Sequence, residues 1–345
     1  MPHLRDEIFE QPEALERLIV GQWETAVAIA QAIQRSEVEF MVIAARGTSD
    51  NAATYGKYIL AQANGLPVTL ATPSLFTIYQ APPRLARALV MGISQSGEST
   101  DIVEVVAEGR RQGALTLAIT NQAHSPLAQA AEHILLCQAG RERSIAATKT
   151  YTAQLAALAL LSVALNGDGE RLAALRKLPE AVEKTLDLEE RVQRAVERYR
   201  YMESCVVIGR GYNYATAYEI ALKLKELTYI MAEPYSPADF LHGPIAMVEG
   251  GFPAIVVAPD GTIFENVRTF TEELQGRGAE LVVVSDRNEV LSLAATPLPL
   301  PVSVPEWLSP ITSVVPGQLF ALYLTLAKGY DPDHPRGLKK VTRTS

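Results

Sequence analysis

Two stretches of this 345-residue chain, MVIAARGTSDNAATYGKY (Met41–Tyr58) and CVVIGRGYNYATAYEIAL (Cys205–Leu222), run in step at an offset of 164 positions. Each is an apolar strand, an Arg-Gly pair, a polar turn and an Ala/Tyr-rich helix. Self-similarity over such a distance is the mark of a duplicated structural unit, and the length, about twice that of a usual domain, suits two of them. The alternative is two unrelated α/β units that match by chance. Around the first copy, strand-like runs alternate with helical ones: FMVIAA (Phe40–Ala45), then NAATYGKYILAQA; PVTLA; RALVMGIS, then TDIVEVVAEGRRQG; LTLAIT, then SPLAQAAE; and HILLC. Strand, loop and helix in repetition predict an α/β, doubly wound, flavodoxin-like fold with a parallel sheet flanked by helices. From Ser144 to about Arg200 the pattern is helical, and alternation restarts at SCVVIGRG (Ser204–Gly211). The expected domains are residues 1–199 with the N-terminal helices, 200–328 with the second copy, and a C-terminal coil tail, 329–345.

The copies differ in loop chemistry. The third strand of the first copy ends in GISQSGESTD (Gly92–Asp101), whereas its counterpart, AIVVAPDGTIFEN (Ala254–Asn266), has no Ser-Gln-Ser. In an open parallel sheet, ligands bind outside the carboxyl ends of the strands, where helix N-termini offer unpaired N–H groups to an anion. Ser94, Gln95, Ser96 and Ser99 are therefore candidate phosphate ligands, with Gly97 allowing close backbone approach. For Ser99 or Thr100 alone, helix capping explains the residue equally well. Thr48 and Ser49 hold the equivalent place after the first strand. Neither GxGxxG nor GxxxxGK[ST] occurs, so a phosphorylated metabolite is indicated rather than a dinucleotide or nucleoside triphosphate.

The second copy carries the reactive side chains. Lys223 and Glu226 stand three apart on one helix face, a general base beside a cation, though on spacing alone a solvated surface pair is the default. His242 follows a short helix, and a lone histidine is more often structural. Lys339 and Lys340 lie in the coil DPDHPRGLKKVTRTS, and a basic tail is usually only solvated. A net charge of −8 without a basic block argues against nucleic acid and anionic membranes. The most apolar run, AQLAALALLSVAL (Ala153–Leu165), has 13 residues, short of the ~18 needed to cross a membrane, and predicts a buried helix. Cys137 and Cys205 form no paired motif, so neither a metal site nor a disulfide is signalled, and a reducing cytoplasm is expected.

In order along the chain, EIFEQPEAL, GTSDNA, SQSGEST, AATKTYTAQL, ALKLKEL, HGPIAM and DPDHPRGLKK resemble the isomerase part of glucosamine-6-phosphate synthase and its standalone relatives, the double sugar-isomerase (SIS) domain proteins. The resemblance covers nearly the whole chain. It implies two tandem SIS domains and a sugar-phosphate site in which Ser49, Ser94, Gln95, Ser96 and Ser99 hold the phosphate, with Thr48, Ile145 and Ala146 beside the substrate. It implies Glu226 as the base moving a proton between C1 and C2 and Lys223 as support for the charge of the enediol-like intermediate. It further implies His242 assisting ring opening in the neighbouring subunit's site, hence a homodimer, and Lys340 forming a Schiff base with the ketose. Such chemistry needs no redox cofactor or metal. Two residues depart from the synthase pattern: Arg46 stands where it has cysteine, and Ala147 where it has a serine near the sugar. No amide-transfer region precedes FEQP, so the expected reaction is deamination, glucosamine 6-phosphate plus water to fructose 6-phosphate plus ammonia. The alternatives are a deglycase of fructosamine-type 6-phosphates, ammonia-dependent synthesis, and a sensor that binds sugar phosphate without turnover.

Overall fold

The computed structural model describes residues 2–340. They form two compact units, one of residues 10–142 and 149–179 with Lys339–Lys340, the other of residues 2–9, 143–148 and 180–338. The first contains β1 (Phe40–Ala44), β2 (Val68–Leu70), β3 (Ala88–Ser94), β4 (Leu115–Thr120) and β5 (His133–Leu136), all parallel, in the order β2-β1-β3-β4-β5. The second contains β6 (Ser204–Ile208), β7 (Met231–Tyr235), β8 (Pro253–Val257), β9 (Glu280–Ser285) and β10 (Thr296–Pro299), in the order β7-β6-β8-β9-β10. The two orders are the same when the strands are matched copy to copy. This is the flavodoxin-like α/β order expected from the repeat, and it places a topological switch point between the first and third strands of each sheet.

The strands obey their positions. Every residue of β3 and β8 is buried, as a central parallel strand covered on both faces requires. Prolines, which cannot donate to a ladder, fall in the edge strands, Pro234 in β7 and Pro297 and Pro299 in β10, or at the first position of a strand, Pro253 in β8.

Each sheet is backed by one long apolar helix. Lys149–Asn166 is buried on all sides and packs against the helices Thr48–Asn64, Gln11–Gly21 and Trp23–Arg35. Its counterpart, Ser309–Ala327, packs against Tyr214–Thr228 and Glu189–Val196 and against the N-terminal helix His3–Phe9. The stretch Glu306–Ala327 is long and apolar enough to cross a membrane (mean hydropathy 1.3), yet 89% of that window is buried inside the protein, as befits a core helix. Covering this helix is why contacts assign residues 2–9 and 180–199 to the second sheet's unit rather than to a domain 1–199. An Arg5–Glu189 pair (Nη2–Oε2, 2.8 Å) fastens that N-terminal helix there.

Candidate active site

In the first unit the loops leaving β1 and β3 flank the switch point, and both candidate phosphate loops are there. Gly97 adopts φ +66°, and its amide donates to Ser94 Oγ at 3.1 Å, curling the Ser-Gln-Ser segment back on itself. Ser99 takes the N-cap position of the helix Thr100–Arg111 but makes no side-chain capping bond; its hydroxyl lies instead 3.5 Å from that of Ser94. Capping therefore does not account for Ser99. The amide of Glu98 donates to Ser96 Oγ (3.3 Å), and the carbonyl of Gln95 accepts from the Asn121 amide (3.1 Å), which holds the loop to its neighbour while the half-buried Gln95 side chain stays at the rim.

After β1, Thr48 opens the helix Thr48–Asn64. Ser49 Oγ accepts from Gln154 Nε2 at 3.0 Å, and a hydroxyl used as acceptor keeps its proton to donate to an anion. Arg46 joins the two loops: its Nε donates to Asp101 Oδ2 at 2.7 Å, and Asp101 is only 2% exposed. Burial pushes the nearby Asp50 carboxyl above its usual range, with Arg46 opposing. Hydroxyls, helix N-termini and a guanidinium thus converge at this end of the sheet.

The same end of the second sheet is filled by the chain's own acids. The amide of Thr262 donates to Glu306 Oε2 (2.9 Å) and that of Asp260 to Asp286 Oδ1 (2.7 Å), while Arg287 pairs with Asp260 (2.6 Å). A Cβ at Gly261 would fall 2.5 Å from the Glu306 carboxyl carbon, so that side chain lies directly on the backbone there.

The Lys223–Glu226 pair is not a solvated surface pair. On the helix Tyr214–Thr228, Lys223 is 1% exposed, with Nζ 2.6 Å from Glu226 Oε2 and 3.4 Å from Glu219 Oε1. Glu219 is wholly buried, and Glu226 is 22% exposed at the solvent end of the row. The buried cation and the buried Glu219 carboxylate offset one another's desolvation, and Glu226 completes the row at its partly exposed end. Glu219 escaped the sequence reading although its i, i+4 spacing to Lys223 was legible. In the same unit, His242 is exposed at the end of the short helix Pro237–Leu241. Half-buried Ile145 and buried Ala146 follow the amides of Arg143 and Ser144, which donate to the carboxylate of buried Glu7. Lys340, by contrast, belongs to the first unit, where Nζ lies 2.7 Å from Glu142 Oε2.

Both thiols are buried and pushed up to about 12, chiefly by loss of solvation. Among the described residues no group of three or more His, Cys, Asp or Glu could hold a metal ion.

A family model described as the SIS domain matches residues 37–164 and 201–328, one match for each sheet. The chain belongs to the SIS-domain family. It is 36% identical over 98% of its length to glutamine–fructose-6-phosphate aminotransferase (isomerizing) of Thermus thermophilus, but covers only 58% of that protein, so it spans little more than half of such relatives. The C-terminal domain of glucosamine-fructose-6-phosphate aminotransferase from Francisella tularensis superposes with a TM-score of 0.86 at 26% identity, over 96% of this chain and 98% of that one. A structure from Silicibacter pomeroyi DSS-3, whose own assignment as a phosphosugar isomerase is provisional, matches with a TM-score of 0.87 at 33% identity, over 96% of this chain and 100% of that one. The two SIS domains are thus the two copies seen in the sequence.

Proposed function

We propose that this SIS-domain chain is an aldose-ketose isomerase of sugar phosphates that acts on an amino-sugar phosphate, converting glucosamine 6-phosphate and water to fructose 6-phosphate and ammonia. The observation that carries it is the Glu219–Lys223–Glu226 row. A partly exposed carboxylate backed by a buried ammonium is a base fixed in place, and isomerisation needs one base able to carry a proton between C1 and C2 on one face of the sugar. Lys223 steadies the negative charge as the enediol-like intermediate forms. The hydroxyl-lined loops with Ser49, Thr48, Ser94, Gln95, Ser96 and Ser99 hold the phosphate, with Ile145 and Ala146 beside the sugar. His242, exposed at a helix end, is presented to a neighbouring subunit for ring opening in a homodimer. Lys340 supplies the amine that condenses with the ketose.

Ammonia and fructose 6-phosphate release from glucosamine 6-phosphate tests this. Glu226→Gln is expected to lower kcat by ~10²–10⁴. No turnover by the wild type, or full turnover by the variant, refutes it. Half-buried Ala147, lacking the hydroxyl of the synthase serine, favours one second reading, a deglycase accepting a bulkier amine substituent. Parallel assays on fructosamine-type 6-phosphates decide between them.

A further inference from the structure

Glu142 lies six residues beyond the end of β5 with its side chain wholly buried. Thr150 donates to it twice, from N–H to Oε1 (3.2 Å) and from Oγ1 to Oε2 (2.7 Å), and Lys149 Nζ clamps the preceding carbonyl, that of Arg141, at 2.7 Å. The cation on this carboxylate comes from 198 positions away: Lys340, whose side chain is 25% exposed.

The place matters as much as the pair. The Asn121 amide bonds the Gln95 carbonyl, while the Asn121 side chain accepts from Ala139 N (2.9 Å) and donates to Gly140 O (2.7 Å). The loops after β3, β4 and β5 are thereby stitched in a row at the carboxyl end of one sheet. Two residues beyond Gly140 comes Glu142, so the contact holds Lys340 on the segment after β5, the last of that row.

We propose that Glu142 is the positioning residue for Lys340, docking the tail with its amine at the sugar-phosphate end of this unit and taking the proton the ammonium must shed before it attacks a ketose. This deepens the isomerase reading above and rests on it. An ammonium has no lone pair. Transfer of one proton to Glu142 frees it; nitrogen then bonds C2 as the C2–O π bond opens, and the oxygen leaves as water. That water carries two of the three ammonium protons, one returned through Glu142 and one directly from nitrogen, and the third stays on the iminium. The reverse sequence hydrolyses the adduct.

The test uses the full chain, fructose 6-phosphate and borohydride, which reduces an iminium to a stable amine detected by mass on the tail peptide. Wild type should be trapped at Lys340. With Glu142→Gln, trapping at pH 7 should fall about 100-fold and recover as the pH is raised, with KM kept within about two-fold and with most of the loss recovered by Glu142→Asp. A purely structural staple would not produce that pH dependence. A Glu142→Gln protein that traps like wild type at every pH overturns the inference alone, as does a wild type that turns over but is never trapped at Lys340. A wild type that neither turns over nor is trapped sinks the isomerase reading as well. Should Glu142→Gln not fold, Lys340→Met carries the test: trypsin should cut after Lys339 several-fold faster than in wild type, and unchanged cutting overturns the docking.

Discussion

Gly97→Ala puts the phosphate loop to the sharpest physical test. At φ +66° an alanine costs about 1–2 kcal/mol over glycine, because Cβ crowds the following carbonyl. Its Cβ would also stand 2.1 Å from Ser125 Oγ and 2.4 Å from Ser125 Cβ, closer than real atoms approach. Ser125 must move, and it caps the helix Pro126–Ala130 by accepting from the Ala128 amide at 3.3 Å, a bond worth about 1 kcal/mol. The expected destabilisation is therefore about 2–3 kcal/mol, with a loop that no longer curls on Ser94. Affinity for fructose 6-phosphate should drop at least about ten-fold, equivalent to ~1.4 kcal/mol. Denaturant unfolding and calorimetric titration read the two effects. Because Ser125→Gly removes the same cap and the same clash, the double variant should be about 1 kcal/mol more stable than the sum of the single changes predicts. Strict additivity, or Gly97→Ala that binds and melts like wild type, refutes the reasoning.

Lys223→Met removes the cation beside fully buried Glu219 and should cost about 3–5 kcal/mol, read as a melting point lower by about 10 °C, while Glu219→Gln in the same chain should restore most of it and no activity. The thiols give a pH signature. Their pKa is raised in the fold to about 12 against about 8.5 unfolded, so each contributes fully below pH 8.5 and loses its contribution as pH rises from there towards 12. At pH 10 about 2 kcal/mol per thiol should be gone relative to pH 8. Cys205→Ala should lose correspondingly less stability over that interval in urea unfolding, and an unchanged pH slope would count against the burial argument. For the proposed dimer, equal mixing of inactive Glu226→Gln and His242→Asn chains should restore about a quarter of wild-type activity, since half the dimers are mixed and each has one intact site of two. Activity that never returns on mixing would place His242 in its own chain's site.

Periodicity and the repeat made the two sheets legible, because apolar runs ending at glycine-rich polar turns leave few alternatives to buried parallel strands. The hydroxyl loops were legible for the same reason: strand ends dictate where they sit. Burial was not. Spacing put Lys223 and Glu226 on one face but could not say that Ser309–Ala327 packs against their helix, and so the surface pair stood as the default. That long helix itself went unnoticed because Pro310, Pro316 and Gly317 break its pattern, and only packing overrides such signals. Glu142 had no local mark at all, since its meaning depends on a partner in the tail.

The duplication also gives a reason for the single sugar-phosphate site proposed for each chain. Two copies of a switch-point sheet begin with two anion sites, since both orders place helix N-termini at the same crevice. In the first copy the loop curls around Gly97 and carries the hydroxyls of Ser94, Ser96 and Ser99. In the second, Glu306 and Asp286 take the amides of Thr262 and Asp260, supplying from within the charge a phosphate would bring. A carboxylate already seated there repels an incoming anion, so the proposed phosphate site falls to the first copy. In the proposed reaction the first helix of the second copy, Tyr214–Thr228, gives a buried lysine and two carboxylates to proton chemistry, whereas the matching helix of the first copy, Thr48–Asn64, gives Ser49 to binding. One ancestral loop-and-helix arrangement thus carries two incompatible demands, attraction of a dianion and custody of a base, by assigning each to a different copy.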